Sequence, residues 1–349
     1  MELQELVPLA PLTTIGIGGP ARFFFRAAGV DDVLEALAWA REHEQDVFVL
    51  GGGSNLLISD DGFDGVVIHL DSRGVTVESE DATHVMVKAA AGEPWDAFVA
   101  LTVENGWAGI ECLSGIPGST GATPIQNVGA YGQDVSETIA RVETLDRTTS
   151  RVVWFTNEEC RFGYRASLFK NHERDRYVVL SVTFRLNRNG CATIRYPELQ
   201  KYVDERSIST ADLRGVREAV IAIRKRKGMV LDPTDPDTRS DGSFFMNPIL
   251  TAAQYEEFAR RAPDAPHFPS GEDVKLSAAW LIEHAGFHKG FTHGNVGLST
   301  KHSLAIVNRG GGTAAEVLQL VRTIQERVRT VYGVEMHPEP NFVGLRIGD

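Results

Sequence analysis

Residues 115–132 constrain this chain more than any other stretch. Their sequence, GIPGSTGATPIQNVGAYG, has five glycines, two prolines and no charged residue in eighteen positions, and its apolar residues follow neither a helical nor an alternating period. These properties predict a shaped loop, in which glycines let backbone N–H groups approach a ligand while Gln126 and Asn127 offer donors and acceptors. Loops of this length in a compact domain are usually functional or disordered, and the apolar anchors within it disfavour disorder. We expect it to bind a large polar cofactor; a turn-rich connection is the alternative.

A second glycine-rich loop follows a buried strand predicted at residues 47–50. It reads GGGSNLL from Gly51 to Leu57. The third glycine of the dinucleotide-binding GxGxxG pattern is absent and no helix is predicted after it, so a Rossmann fold is only weakly indicated. The backbone N–H groups from Gly51 to Ser54 remain suited to a pyrophosphate, assisted by the Ser54 hydroxyl and the Asn55 amide. A plain hairpin turn is the alternative.

Composition narrows the class of protein. The 349 residues predict two or three domains, and 42% hydrophobic with 23% charged residues is the ordinary range of a globular chain. A net charge of −12 disfavours general affinity for nucleic acid or anionic lipid. The sequence has neither a secretory signal pattern nor a run of eighteen apolar residues, so we expect a soluble cytoplasmic protein. The three cysteines form no CxxC pair and are expected to be buried free thiols.

Apolar periodicity and turn residues predict the other elements. Strands are expected at residues 21–25, 65–70, 85–90, 141–145, 151–155 and 177–186. Helices are expected from Asp31, as the N-cap, toward residue 44, and at residues 94–106, 212–226 and 277–285. A last helix begins with the capping box of Thr313 and Glu316 and ends at Gly333. A strand is expected in the tail at 336–344, and residues 231–237 are a candidate domain boundary.

Four residues are candidates for chemistry. Arg165, within an aromatic turn, suits bidentate recognition of a carboxylate or phosphate, although a lone arginine more often covers a sheet with its aliphatic stem. Glu339, between two prolines, is either part of a rigid turn or a positioned acid. Ser243 lacks the GxSxG elbow, so a hydrolase nucleophile is not indicated. Lys227 ends a basic run that suits a helix C-terminus and can also meet a pyrophosphate.

Histidines and aspartates suggest no metal. The histidines at 284, 288, 293 and 302 match no ligand spacing, and solvated or capped side chains are the simpler interpretation. The aspartates between residues 232 and 241 lack the glycine and the spacing of a calcium-binding loop. We therefore predict no metal site.

Six motifs occur in an order that resembles one family. They are GGGSNLL from Gly51, GIPGSTGATPIQNVGAYG from Gly115, FGYRASLFK from Phe162, GSFFMNP from Gly242, KLSAAWLIEHAGF from Lys275 and HPEPNFVG from His337. Together they resemble the UDP-N-acetylenolpyruvoylglucosamine reductases of peptidoglycan synthesis, enzymes of cell wall biogenesis, cell shape and cell division. The resemblance covers nearly the whole chain.

The resemblance implies an α+β fold of the vanillyl-alcohol-oxidase type (PCMH-type), a two-part FAD-binding fold with a smaller α+β substrate-binding domain. The implied division is residues 1–72 for FAD-binding subdomain 1, residues 73–227 and 333–349 for subdomain 2, and residues 228–332 for the substrate-binding domain. It implies non-covalent FAD, NADPH as hydride donor and a UDP-sugar as small-molecule substrate. No nucleic acid, membrane or obligatory protein partner is implied, and we expect a monomer.

The implied reaction is NADPH-dependent, FAD-mediated reduction of the enolpyruvyl group of UDP-N-acetylglucosamine enolpyruvate to UDP-N-acetylmuramate. By this resemblance Ser243 protonates the carbanion carbon, while Arg165 and Glu339 stabilise the enolate-like intermediate. Substrate-binding positions are matched by Tyr164, Tyr196, Lys227 and Asn247. The implied FAD-binding positions are Gly51, Gly52, Gly53, Ser54, Asn55, Leu56, Gly115, Ile116, Pro117, Gly118, Gly121, Ala122, Thr123, Ile125, Gln126, Asn127 and Gly129.

Two positions depart from the family pattern. Met246 stands where many relatives have a basic residue, and Gly16 stands where many have arginine in a TTxRxGG motif. Both concern nucleotide contacts and leave the implied reaction unchanged. Another FAD oxidase or dehydrogenase of the same fold, acting on an alcohol or hydroxy acid, would share the glycine loops but not GSFFMNP or the Pro-Glu-Pro tail. A non-enzymatic nucleotide-binding module is the second alternative, which a lack of flavin absorbance would support.

Overall fold

The computed structural model describes residues 2–345, which form two compact units. The first unit contains residues 2–7, Ala21–Gly53 and Asp64–Arg226. The second contains Pro8–Pro20, Ser54–Phe63 and residues 227–345. The three-part division expected from the sequence stays a prediction.

Strands and helices alternate irregularly along the described chain. The strands are β1 Leu3–Pro8, β2 Pro20–Ala27, β3 Val47–Leu50, β4 Leu56–Ile58, β5 Phe63–Leu70, β6 Val75–Glu80, β7 His84–Ala90, β8 Trp107–Ala108, β9 Gly129–Ala130, β10 Gln133–Asp134, β11 Ile139–Asp146, β12 Arg151–Thr156, β13 Tyr177–Arg188, β14 Ser240–Ser243, β15 Ile249–Leu250, β16 His267–Ser270, β17 Asp273–Leu276, β18 Thr292–His293, β19 Val296–Leu298, β20 Ala305–Asn308 and β21 Asn341–Val343. The α-helices are α1 Val30–Glu42, α2 Trp95–Glu104, α3 Thr123–Gln126, α4 Pro197–Glu205, α5 Leu213–Arg226, α6 Ala252–Arg261, α7 Ala278–His284 and α8 Ala314–Tyr332.

Two sheets build most of the first unit. One has the order β1-β2-β5-β3, with β3 parallel to β5, and buries the apolar face of α1. The other has the order β12-β11-β13-β7-β6, and β8 also pairs with β13. Its core includes Trp95 and Phe98 of α2 packed on Phe184 of β13, with the two phenylalanine ring centroids 5.0 Å apart. Helices α4 and α5 form a further apolar cluster.

Helices pack on short strands in the second unit. The sheet β14-β20-β19-β18 shares one core with α7 and α8, and β15, β17 and β16 form a three-stranded sheet. The C-terminal strand β21 pairs in parallel with β4, a strand from the first fifth of the chain. Helix α8 begins at Thr313, whose hydroxyl accepts from the Glu316 backbone, and ends at Gly333 with a left-handed φ of 72°. The sequence predicted both of these helix ends.

Most predicted elements are confirmed, with one wrong helix start. The N-cap of α1 is Gly29 rather than Asp31. The carboxylate of Asp32 accepts hydrogen bonds from the Ala28 and Gly29 backbone N–H groups, because the third residue of a helix can reach back to its first turn. The sequence patterns also missed β1, β6, α4, α6 and most of the short strands after residue 240.

The cysteines and the helices bear on two other expectations. All three cysteines are unpaired; Cys112 and Cys160 are buried as predicted, but Cys191 is exposed, so that prediction was wrong for Cys191. Burial raises the pKa of the Cys160 thiol to about 12. None of the helices in residues 2–345 is both long enough and apolar enough to cross a membrane.

Candidate active site

The two glycine-rich loops lie against each other in the first unit. The backbone N–H of Gly52 donates to the hydroxyl of Ser119, at 3.2 Å. A Cβ atom on Gly52 would lie 2.5 Å from the Cα of Gly118, and one on Gly51 would lie 2.6 Å from the Ser119 Oγ. The backbones therefore touch with no room for a side chain. The structure thus brings together FAD-binding candidates that are more than sixty residues apart in sequence.

One helical turn interrupts the longer loop. Residues Thr123–Gln126 form α3, which Asn127 ends in a left-handed conformation with φ of 44°. The Asn127 side chain shapes the loop from within, because its Nδ2 donates to Gly163 O and its Oδ1 accepts from Ser136 N. The amide oxygen of Gln126 accepts from the Lys170 ammonium at 2.7 Å. Apart from this turn, one short 3₁₀-helical turn at Thr120–Ala122 and the two-residue strand β9, the stretch is the irregular loop that its composition predicts.

Arg165, from a later segment of the chain, packs against the longer glycine-rich loop. Its guanidinium donates to the backbone oxygens of Asn127, at 3.2 Å, and Gly129, at 2.6 Å, and lies 3.5 Å from the Asp134 carboxylate. It also stacks over the Tyr164 ring, with the guanidinium carbon 5.4 Å from the ring centroid. Arg165 itself has a positive φ of 53°, which is uncommon for a non-glycine residue. The structure thus fixes a cation at the edge of the predicted cofactor loop.

An ion pair holds the start of the longer loop. Asp96, in the first turn of α2, accepts from the Gly115 backbone N–H at 2.5 Å. It also accepts from both terminal nitrogens of Arg217 on α5, at 2.6 and 2.9 Å. Burial raises the pKa of the Asp96 carboxyl, but the hydrogen bonds from Arg217 and Gly115 outweigh burial and hold the pKa below its ordinary value. The carboxylate is therefore ionised and anchors the loop to two helices.

Two tyrosines of the first unit pack edge to face. Tyr196, the N-cap residue of α4, is exposed, and its ring centroid lies 5.5 Å from that of Tyr131 in the longer loop. Burial raises the pKa of Tyr131 to about 12, so its hydroxyl stays neutral at physiological pH. Tyr164 is also exposed. Both exposed rings can contact a ligand without first leaving a core.

The second unit brings Ser243 and Glu339 onto paired segments. Ser243 ends β14, and the following Phe244 donates its backbone N–H to Leu304 O and accepts from the Glu339 backbone N–H at 2.8 Å. The Asn55 amide lies 3.4 Å from Glu339 O, and the Asn341 N–H donates to Asn55 O. The segment of Glu339 therefore contacts both Asn55 and the residue that follows Ser243, although almost 300 residues separate Asn55 from Glu339 in sequence.

A bulge in β14 sets the direction of Ser243. Ser240 faces Val307 and Ser243 faces Ala305, so β14 has one more residue than β20 over this interval. The extra length includes Gly242, whose φ of 76° suits glycine. Asp241, beside it, has an Oδ2 with no hydrogen-bond partner among residues 2–345. Burial raises the pKa of Asp241 well above its ordinary value, although hydrogen bonds from the Leu56 N–H and the Thr14 hydroxyl lower it, so the site favours the neutral form of this acid.

Asn247 and Lys227 are placed in different surroundings of the second unit. The Asn247 side-chain oxygen accepts from Ala278 N at the start of α7, and within the described chain its Nδ2 donates to no protein acceptor. An amide held by its oxygen presents its two N–H donors to a ligand. Lys227 follows the last residue of α5 and is half-buried. Gly16, one of the departures, accepts through its backbone oxygen from Asn308 Nδ2.

The sequence pattern gave no role to His302. In the structure its Nε2 lies 3.4 Å from Ser243 Oγ. The two residues are brought together by the pairing of β14 with β20, which local sequence does not signal. Two other histidines are solvent-exposed, as the sequence predicted, and contact backbone oxygens. His284 Nδ1 is hydrogen-bonded to Trp280 O, and His288 Nδ1 is hydrogen-bonded to Lys289 O. No group of three His, Cys, Asp or Glu side chains in the described range is arranged to hold a metal.

The glycine loops of the first unit fit an anionic dinucleotide. Across the described part of the chain, the backbone N–H groups of Gly53, Ile116 and Gly118 donate to no protein acceptor. Gly53 and Gly118 have positive φ values of 61° and 116°. Glycines in such conformations expose successive N–H groups, which bind phosphate oxygens. These N–H groups therefore suit a cofactor with a diphosphate.

Known protein families match this chain over the region of the glycine-rich loops and over the region that contains Ser243 and Glu339. Residues 21–156 match the family model described as FAD binding domain, and residues 232–343 match that of the UDP-N-acetylenolpyruvoylglucosamine reductase C-terminal domain. The UDP-N-acetylenolpyruvoylglucosamine reductase of Thermobifida fusca is 47% identical over 98% of this chain and 98% of its own length. The chain belongs to the UDP-N-acetylenolpyruvoylglucosamine reductase family. The enzymes of the same name from Salinispora arenicola and Mycobacterium tuberculosis are 48% and 45% identical, over 97% and 99% of this chain and 95% and 96% of their own lengths.

A solved reductase of this family has the same fold. The crystal structure of UDP-N-acetylenolpyruvylglucosamine reductase from Thermus caldophilus superposes with a TM-score of 0.67 at 24% identity, covering 98% of both chains. The predicted fold class is confirmed by this structure and by the FAD-binding match. Both glycine loops lie in the first matched range, and Ser243, Asn247 and Glu339 lie in the second. Arg165, Tyr164, Tyr196 and Lys227 lie outside both ranges.

Proposed function

We propose that this protein reduces the enolpyruvyl group of UDP-N-acetylglucosamine enolpyruvate to give UDP-N-acetylmuramate, with FAD as cofactor and NADPH as the first hydride donor. FAD-dependent reduction in peptidoglycan precursor synthesis follows from its family membership. The observation that carries the specific reaction is the pairing of the Ser243 strand with the Glu339 segment inside the reductase-specific region. A proton donor and an acidic side chain are then held on neighbouring backbones.

The chain's own residues divide the cofactor's binding between them. The N–H groups of Gly53, Ile116 and Gly118 bind phosphate oxygens, and Asp96 keeps the longer loop in place through Gly115. Gln126 and Asn127 support the loop from behind, since their side chains are bonded to Lys170 and to Gly163. The bound flavin supplies the hydride that reaches the outer enol-ether carbon.

Ser243, Arg165 and Glu339 act on the substrate. Hydride addition leaves negative charge on the carbon beside the carboxylate, and Ser243 Oγ–H protonates that carbon. A serine hydroxyl is a weak acid, but a carbanion is basic enough to take its proton when the hydroxyl is held close. The Arg165 guanidinium stabilises the developing charge on the carboxylate by its positive charge, and Glu339 stabilises it by hydrogen bonding.

The remaining candidates bind the nucleotide part of the substrate. Asn247 offers its Nδ2 hydrogens, since its oxygen is fixed by Ala278 N. Lys227 supplies positive charge for the diphosphate, and the exposed rings of Tyr164 and Tyr196 provide apolar surface for the nucleotide. We propose that the enzyme is cytoplasmic and monomeric. Sedimentation equilibrium of the flavin-loaded protein would test the monomeric state directly.

Ser243→Ala tests the reaction. In anaerobic stopped-flow experiments, NADPH should bleach the flavin absorbance of the variant at the wild-type rate. Reoxidation by the enolpyruvyl substrate should slow by at least about 100-fold, the lower range for loss of a general acid. An equal loss in both half-reactions would show instead that Ser243 supports the fold or the flavin site. Purified protein without flavin absorbance would contradict the whole proposal.

A further inference from the structure

The hydroxyl proposed to protonate the substrate has an imidazole beside it. Ser243 Oγ lies 3.4 Å from His302 Nε2, and both side chains are half-buried in the second unit. This distance is longer than an ordinary O···N hydrogen bond. Catalytic hydrogen bonds in ligand-free enzymes are often long and shorten when substrate binds. The contact therefore joins a proton donor to an imidazole, a side chain that can both accept and donate a proton.

Hydrogen bonds hold the backbone around His302. His302 and Lys301 both donate their backbone N–H groups to the hydroxyl of Ser299, a fully buried residue, at 3.3 and 3.0 Å. Ala305 donates its N–H to His302 O, which leads directly into β20. The Asp237 carboxylate accepts from both the backbone N–H and the hydroxyl of Thr300. This turn fixes the position from which the imidazole extends.

The pairing of β14 with β20 holds Ser243 in place. Ala305 is the partner of Ser243 in the β14–β20 ladder, and Phe244 N donates to Leu304 O. Ser243 lies at the end of β14, and His302 lies three residues before β20. The two residues are therefore at the same end of this strand pair. The contact joins residues 59 positions apart in sequence, and hydrogen-bonded backbone holds each of them in place.

We propose that His302 supplies Ser243 with the proton that Ser243 gives to the substrate carbon. The inference rests on the proposed function of Ser243. As the new C–H bond forms, the Ser243 O–H bond breaks and its electron pair stays on Oγ. The Nε2–H bond of the protonated imidazole breaks in the same step, its electrons return to the ring, and Oγ is protonated again. Neutral His302 then takes a proton from water, so the step consumes one solvent proton.

This arrangement removes the main difficulty of a serine acid. Without a proton source, Ser243 would be left as an alkoxide, a much stronger base than imidazole. Transfer from imidazolium keeps charge from accumulating on Oγ during the reaction. His302 therefore acts through Ser243 and does not itself touch the reacting carbon. Charged groups on the segments next to it include Lys301, which is paired with Asp235, and Asp237, which is bonded to Thr300. Glu339 lies on the segment bonded to Phe244.

The flavin-loaded enzyme and its His302→Gln variant test this proposal. NADPH should reduce the variant's flavin at the wild-type rate, while reoxidation by substrate should slow by about 100-fold or more. In wild type, the reoxidation rate should fall as pH rises through the pKa of one group, and His302→Gln should lose this dependence. His288→Gln, which replaces an exposed histidine bonded to its own neighbour, is the matched control and should behave as wild type.

Chemical rescue separates proton supply from a structural role. Added imidazole should restore reoxidation to His302→Ala, and rescue should weaken as pH rises and imidazole becomes neutral. Unchanged reoxidation in His302→Gln, or a flat wild-type profile from pH 5.5 to 9, would overturn the proposal even if the alanine variant did not fold. If Ser243→Ala also reoxidises normally, the proposed function of Ser243 fails; if only the His302 variants do, this inference alone fails.

Discussion

The ion pair beneath the longer glycine loop is predicted to be a major local source of stability. Asp96 joins α2, α5 and Gly115, and the Arg217 side chain is only 15% exposed. Asp96→Ala removes two charge-assisted bonds from Arg217 and one from a backbone N–H. It also leaves a guanidinium largely out of water without its anion. Asp96→Asn keeps one oxygen for Gly115 but loses the charge.

The expected magnitude follows from the burial of the two partners. Breaking a fully buried ion pair by removing one partner costs about 3–5 kcal/mol. The Asp96 side chain is 41% exposed, so water screens part of the interaction and we expect about 2–3 kcal/mol for Asp96→Ala. Asp96→Asn should cost about 1–2 kcal/mol, since a hydrogen bond to Gly115 survives. The exposed pair Arg22–Asp64, with side chains 52% and 86% exposed, should give less than about 0.5 kcal/mol.

Urea unfolding followed by circular dichroism gives the free energy of unfolding of each variant, and a double-mutant cycle with Arg217→Met isolates the coupling. The sign of the pH dependence provides a second check. Because the folded-state pKa of Asp96 is lowered, its stabilisation is complete above its unfolded-state value and is lost as pH falls through the folded-state value. Wild type and Asp96→Ala should therefore converge in acid. The reasoning is refuted if Asp96→Ala at pH 7 loses no more stability than the exposed pair.

Two further predictions concern the second glycine loop and the bulge in β14. Gly52→Ala would place a Cβ against the backbone of Gly118, so we expect the free energy of unfolding to fall by about 1–3 kcal/mol. The flavin content of this variant, measured by absorbance, should also fall. Gly29→Ala is the control, because its Cβ would meet nothing within 4 Å, and it should retain its flavin. For Asp241 the folded-state pKa is raised, so the unfolded chain loses this proton first and stability falls as pH rises above about 3.8. Asp241→Asn removes this loss, and its stability relative to wild type should increase with pH by up to about 1.4 kcal/mol per unit. A difference in unfolding free energy that does not vary with pH would contradict a raised pKa of Asp241.

Local sequence signals were sufficient where an element is stabilised by its own residues. Helix α8 has a capping box at Thr313, an apolar face of period 3.6 and a glycine at its end, and the structure has it at the predicted place. The irregular course of residues 115–132 also followed from composition. The predicted start of α1 was wrong because aspartate is a common N-cap residue, whereas here Gly29 is the N-cap and Asp32 lies at the third helical position, from which its carboxylate reaches back.

Contacts between distant segments had no local signal. Strand β4 is three residues long and exists because β21 pairs with it. Arg165 is an ordinary arginine in sequence, and its place on the longer loop depends on carbonyl groups some 36 residues earlier. His302 approaches Ser243 only through the β14–β20 ladder. The motifs of a known family predicted Arg165 and Ser243, but a histidine outside those motifs could be found only from the coordinates.

The pairing of β4 with β21 has a consequence for how the protein is made. Residues 54–63 are translated long before β21, the strand that completes their pairing. At ordinary rates of synthesis, β4 remains without its partner for on the order of 15 s to 1 min. The first unit's last segment, which ends at Arg226, is finished well before that time. Synthesis of β21 therefore sets the earliest moment at which Asn55 can bond to the segment that contains Glu339, and a polypeptide cut short before Asn341 never reaches it.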